Sequence, residues 1–266
     1  MARPALSQTR RQGQRKRGHV TLRLMSYNIR FGGVGRERRI AEVIRHCSPD
    51  IVLLQEATRE AGIAEIAEYA GMPYHAAKQG HSTAFISRVE VEHYEWHHHR
   101  DMQRPFLEIR PRGSGPTLYN IHLRATHSNY TERGRMREVR ALLDCIKDVK
   151  DDFHLLVGDF NTLAPGELLN MQKLPMRYRI LALLLGGRIT YRAIQIIVDT
   201  GYVDGYRKLH SEPGLTFPAW DPNVRLDYVF VTEQFANFIR SCEVISDIPE
   251  PAKATDHLPL LTEIDT

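Results

Sequence analysis

Leu155-Leu156-Val157-Gly158-Asp159-Phe160-Asn161 opens as a short apolar run and ends on a carboxylate and a carboxamide two positions apart. An uncharged run of this length suits a strand buried on both faces. In an extended chain, residues i and i+2 point the same way. The spacing therefore predicts Asp159 and Asn161 on one side of the strand end, with Phe160 turned back into the core. A polar pair fixed at the rim of a sheet suits cleavage at phosphorus. The carboxylate can take a proton from an attacking water, and the amide can orient that water or the phosphate. A strand running into an Asp/Asn turn has the same spelling, so the rest of the chain must separate the two.

The same pattern recurs on both sides of this stretch. Val20 to Phe31 alternates Leu22, Leu24, Ser26 and Asn28 against Met25, Tyr27 and Ile29. Both faces are largely apolar, which predicts a central strand with Asn28 near its end. Arg36 to His46 has the apolar spacing of an amphipathic helix. Ile51 to Leu54 is a second buried strand, and Gln55-Glu56 follows it. Glu56 is either a strand-end acid or the N-terminal acid of a helix over Ala57 to Ala70. Thr117 to Leu123 is another strand, with His122 and Asn120 on one face. A helix over Thr131 to Lys150 turns Val139, Leu142, Leu143 and Ile146 inward and its arginines to solvent. Asp227 opens the apolar run Tyr228 to Val231. Asp256-His257 sits in a turn before the last strand, and Pro259 keeps that turn out of a regular ladder.

The whole chain bounds this reading. Its 266 residues and 42% hydrophobic content suffice for one large α/β domain, or two small ones, with a substantial core. A net charge of +4 favours a phosphate-bearing partner but is too small for a dedicated nucleic-acid binder. Cys47, Cys145 and Cys242 are too widely spaced for a metal knuckle, which points to a reducing, cytoplasmic setting. Residues 1–19 carry several Arg and Lys and no acid, and read as a solvated basic tail without a secretory core. No apolar run is long enough to span a membrane, which leaves at most peripheral membrane contact, and a monomer is expected. Trp96-His97-His98-His99-Arg100 contains three adjacent histidines. Neighbouring strand residues face opposite ways, so a solvated hairpin tip is expected there and not a zinc site.

The motifs Tyr27-Asn28-Ile29, Leu54-Gln55-Glu56, His122-Leu123, Gly158-Asp159-Phe160-Asn161, Arg225-Leu226-Asp227-Tyr228 and Asp256-His257-Leu258-Pro259-Leu260 occur in that order. Together they resemble the endonuclease/exonuclease/phosphatase superfamily over Leu22 to Thr262. The resemblance implies an α+β fold, a two-layer β-sandwich flanked by helices on both outer faces, as one domain over residues 20–266. It implies a phosphoester hydrolase using Mg²⁺, with Mn²⁺ as substitute. Glu56 matches the main metal carboxylate, with Asn28 and Asp256 as companions. Asp159 would activate the water and Asn161 orient it. His257, oriented by Asp227, would face the scissile phosphate, and His122 would stabilise the developing charge. Arg124, Tyr178 and Arg179 are expected to contact substrate, either DNA or RNA or a phospholipid headgroup.

One departure stands out. Between Asn161 and Gly201 the chain carries extra material, a helical insertion at about 165–200. It reads as two helices, around Tyr178–Leu185 and Tyr191–Asp199, and a substrate-selecting cap is one expectation for it. The alternative from another class is a protein that kept the fold to bind phosphate ligands or nucleic acid without turnover.

Overall fold

The structure is a computed structural model that describes residues 21–113, 115–125, 128–167, 191–248 and 251–266. Two six-stranded sheets are present. The first contains β1 (Thr21–Asn28), β2 (Ile51–Gln55), β3 (Tyr74–Ala76), β4 (Thr83–Ser87), β11 (Ile239–Val244) and β12 (Leu260–Asp265). Its order is β11-β12-β1-β2-β4-β3. The second contains β5 (Val91–His97), β6 (Phe106–Pro111), β7 (Thr117–His122), β8 (His154–Asp159), β9 (Tyr202–Asp204) and β10 (Asp227–Thr232), in the order β5-β6-β7-β8-β10-β9. Each sheet has one parallel pair at its centre, β1 with β2 and β7 with β8. The crossovers of these pairs carry α1 (Glu37–Cys47) and α3 (Asn129–Cys145).

The doubly apolar strands are explained by what covers them. On one face of the first sheet, Met25, Tyr27, Val52 and Leu54 pack on Ile40 and Ile44 of α1 and on Ile63 and Ile66 of α2 (Glu60–Ala70). On the other face, Leu22, Leu24, Ile51 and Leu53 meet Leu107, Leu118, Leu155, Val157 and Val229 of the second sheet. Beyond it, Tyr119, Ile121, Leu156, Phe160 and Phe230 pack under Val139 and Leu142 of α3 and Ile146 just after it. The layers are thus helix, sheet, sheet, helix, in keeping with the face assignment for β1 and the inward turn of Phe160. A polar staple crosses the apolar interface between the sheets. Asn120 donates to the carbonyls of Leu54 and Ala84 and accepts from Gln55 Nε2 at 2.8 Å.

Several expectations are corrected. The helix expected from Ala57 starts at Glu60, so Glu56 is not a helix-terminal acid. The helix expected over Thr131 to Lys150 ends at Cys145, and a short 3-10 turn follows. Its arginines are not all solvated. Arg135 is fully buried, pairs with Glu132 at 2.9 Å and donates to the Arg124 carbonyl. The carboxylate one helical turn earlier makes that burial tolerable. Glu132 also accepts from Thr162 Oγ1 and from the backbone of Arg192 and Ala193, at the start of α4 (Ala193–Asp199). Ala193, Ile194 and Ile197 of α4 are buried in the outer core, so this part of the insertion packs on the sandwich. The helix expected around Tyr178–Leu185, with Tyr178 and Arg179, lies outside the described residues, as does the basic tail.

Cys47, Cys145 and Cys242 are all free thiols. Among the described residues no helix is long and apolar enough to cross a membrane. Gly158 has φ 141°, and a Cβ there would lie 2.0 Å from the Ile121 carbonyl oxygen. Only glycine lets β8 run this close to β7 just before Asp159.

Candidate active site

Strand register sets up the site. In the second sheet His122 lies opposite Asp159 across the parallel pair, and Asp227 lies opposite Asp159 across the antiparallel pair. Three polar residues therefore form one row at the strand ends. The first sheet contributes Asn28, the last residue of β1. Its Nδ2 reaches Asp159 Oδ2 at 3.0 Å and Glu56 Oε1 at 3.4 Å, while its Oδ1 accepts from Arg30 N. As placed, Asn28 steadies two carboxylates with its amide N–H groups.

Asn161 reaches the site by a different route from the strand alternation that predicted it. β8 stops at Asp159, and Asn161 is left-handed with φ 52°. Its backbone N–H donates to Asp159 Oδ1 at 2.9 Å, closing an Asx-type turn. Its Nδ2 donates to Asp159 Oδ2 at 3.0 Å and to the Leu123 carbonyl at 3.1 Å. Glu56, just beyond β2, is also left-handed with φ 55°, and its Oε2 accepts from Phe31 N at 2.8 Å. Among the described residues five non-glycines have positive φ, and four of them, Arg30, Phe31, Glu56 and Asn161, border this site. Backbone of this kind costs about 1 kcal/mol or more per residue and concentrates at functional sites.

The loop before β12 closes the site. Thr255 Oγ1 donates to the Asn28 carbonyl at 2.8 Å. Asp256 Oδ2 lies 3.3 Å from Arg30 Nε. His257 Nδ1 lies 2.9 Å from Asp227 Oδ2, and its Nε2 lies 3.9 Å from Asp159 Oδ2. The Phe217 ring packs 5.0 Å from the His257 ring.

The two histidines end in opposite charge states. Burial lowers His122 well below the ordinary imidazole value, and Arg104 and His257 push it further, so it is neutral. Its Nε2 is 3.8 Å from Asp159 Oδ2, and its buried Nδ1 has no hydrogen-bond partner. Burial pulls His257 down too, but Asp227, through charge and hydrogen bond, and then Asp159 and Asp256 lift it to about 10. Asp159 is raised to about 7. Burial is the main cause; His257 opposes it, and Asp227 adds to it. A carboxylate near neutrality and a charged imidazole facing one space form an acid–base pair.

Of the residues singled out in the sequence, Asn28, Glu56, His122, Asp159, Asn161, Asp227, Asp256 and His257 meet here. Arg124 lies one step away, paired with Glu138 at 3.2 Å. His97, His98 and His99 diverge. His97 bonds to Glu108, His98 faces His81, and His99 Nδ1 accepts from the Asp101 N–H. Sequence reasoning missed Arg30 and Thr255. Arg30 was legible, because it falls two positions after Asn28.

The Endonuclease/Exonuclease/phosphatase family matches residues 25–257. The uncharacterized protein YbhP of Escherichia coli (strain K12) is 25% identical over 193 residues, which are 69% of this chain and 62% of that protein. The chain thus matches less than two thirds of that relative's length. Among solved structures, an AP endonuclease from Archaeoglobus fulgidus superposes with a TM-score of 0.69 at 20% identity, covering 92% of this chain and 100% of that one. A 3′ phosphatase from Neisseria, solved with a product DNA hairpin, gives 0.68 at 18% identity with the same coverage.

Proposed function

The chain belongs to the endonuclease/exonuclease/phosphatase family, and from that premise we propose that it is a divalent-metal-dependent phosphoester hydrolase. The observation that carries this reading is Asp159. It is a buried carboxylate held by two carboxamides and flanked by one neutral and one charged histidine.

The donor set fits a hard cation. Glu56 and Asp256 are carboxylates, and Mg²⁺ or Mn²⁺ takes few protein oxygens and keeps several waters. Glu56 would hold the ion, with Asp256 as second oxygen donor and Asn28 orienting the Glu56 carboxylate. When bound, the ion supplies charge stabilisation at the phosphoryl oxygens. The chain's own residues do the rest. Asp159 takes the proton of the attacking water, and its raised affinity for protons suits a base working near neutral pH. Both Asn161 amide hydrogens are used, on Asp159 and on Leu123, which leaves Oδ1 to orient that water. His257 donates from Nε2 to a phosphoryl oxygen, its other nitrogen fixed by Asp227. His122, neutral, donates one N–H to the same developing charge.

The Neisseria neighbour's DNA hairpin favours a nucleic-acid phosphoester over a lipid headgroup as substrate here. The test is turnover of bis-(p-nitrophenyl) phosphate and of abasic and single-stranded DNA, with Mg²⁺ and with chelator. Hydrolysis that stops in chelator is expected. Binding of these phosphoesters without any turnover would replace the hydrolase by a ligand-binding protein.

A further inference from the structure

Beside the site lies a cavity of about 590 Å³, lined by Arg100, Arg104, Arg124 and Arg137 with Asp101 and Thr131 among their neighbours. The lining holds four arginines and one acid. Arg124 already has Glu138 and Arg100 has Asp101. Among the described residues, neither Arg104 nor Arg137 has a carboxylate at ion-pairing distance. The cavity also abuts the N-terminal turn of α3, whose dipole favours anions.

Two details tie this cavity to the catalytic residues. The Leu123 carbonyl accepts from Asn161 Nδ2 on one side and from Arg104 Nη1 on the other, at 3.1 Å each. Site and cavity are thus walls of one backbone segment. The Arg124 side chain lies flat on α3 at Gly134. A Cβ at position 134 would come within 2.5 Å of Arg124 Nη1. Glycine inside a helix is unfavourable relative to alanine, and here it makes the room in which Arg124 lies.

We propose that this arginine cavity seats a second phosphate of the substrate, one that is held and not cleaved. The inference rests on the phosphoesterase reading and narrows it to substrates with a phosphate next to the scissile one. Guanidinium forks match phosphate oxygens in pairs, which an ammonium cannot do. The volume lies in the range of small-ligand pockets. A neighbouring phosphate in a nucleic-acid strand and a second phosphate on a small polyol share this chemistry.

Matched probes test it by equilibrium titration of Asp159→Asn protein, so that binding is read without turnover. One pair is the dinucleotide TpT with and without a 5′-phosphate. The other is inositol 1-phosphate against inositol 1,4-bisphosphate. The extra phosphate is expected to tighten binding about tenfold or more in one of the pairs. Arg104→Gln/Arg137→Gln should bring that ratio close to one, and exposed Arg137→Gln alone should lower it part of the way. The pair that responds identifies the source of the phosphate. A merely structural defect weakens both members equally and leaves the ratio, which overturns the proposal. So does a wild-type ratio near one in both pairs. If the ratio behaves as expected while wild-type protein with Mg²⁺ hydrolyses no phosphoester, the cavity stands and the hydrolase reading falls.

Discussion

His257 Nδ1 and Asp227 Oδ2 lie 2.9 Å apart, both buried, and this bond leaves Nε2 as the imidazole nitrogen that faces Asp159. Asp227 is also the largest of the influences that raise the His257 proton affinity. The expected kcat/KM profile rises as Asp159 loses its proton near pH 7 and falls as His257 loses its proton near pH 10. Asp227→Asn should move the basic limb to lower pH and reduce kcat by about 10- to 100-fold. An unmoved basic limb would detach it from His257.

Glu56→Gln keeps the size of the side chain and its hydrogen-bonding reach but removes the charge. Mg²⁺ activation should shift to higher metal concentration, with activity down by about 100-fold or more at fixed metal. Circular dichroism and thermal unfolding should stay close to wild type. Full turnover of the wild-type protein in chelator would remove the metal from the reaction.

Asp159→Asn and His257→Ala should each lower kcat by about 100-fold or more. Their combination should fall well short of the product, because both groups act on one transition state. A single variant with wild-type kcat would place that residue outside the machinery.

Asn120→Ala removes the staple between the sheets. It takes one buried hydrogen-bond partner from Gln55 Nε2, which keeps the Leu53 carbonyl, and from the carbonyls of Leu54 and Ala84. The expected loss is about 2–4 kcal/mol in denaturant unfolding. Residual kcat per folded molecule should stay near wild type, since Asn120 makes no bond to the catalytic residues.

His154 gives a pH test of stability away from the site. It is buried between Tyr202 OH at 2.6 Å and the Asp152 carbonyl at 2.8 Å, and burial lowers its proton affinity. Below its ordinary value of 6.5 the unfolded chain takes a proton that the folded chain refuses. Stability is therefore lost as pH falls. His122 acts in the same sense. His257 is opposite: its contribution is complete below 6.5 and is lost as pH rises toward 10. His154→Gln should flatten the acid side of the stability profile, measured by urea unfolding from pH 5 to 8.

The strands were legible because double burial leaves an uninterrupted apolar run. The candidate residues were legible because each breaks such a run at its end. Side-chain environment was not. His122 and His257 are spelled alike in the sequence, and only burial next to Arg104 or Asp227 separates neutral from charged. Arg135 reads as a surface arginine until Glu132 is seen beside it in the core. Asn161 reaches Asp159 through a left-handed turn, which strand alternation does not foretell. Arg104 and Arg137 stand 33 positions apart and only the packing of α3 against the β7 end brings them to one cavity.

The first sheet has an order of assembly built into it. β12 pairs with β1, and Arg23 meets Glu263 across 240 positions of chain, whereas the second sheet is one unbroken stretch from β5 to β10. On a ribosome adding about 5–20 residues per second, β1 keeps an unpaired edge for roughly 10 to 50 seconds. The second sheet can meanwhile form as it emerges. Asp256 and His257 arrive with β12, in the same last act. A nascent chain therefore holds no complete site until its first sheet closes, and the unpaired β1 edge is where a helper protein or a wrong partner would act first.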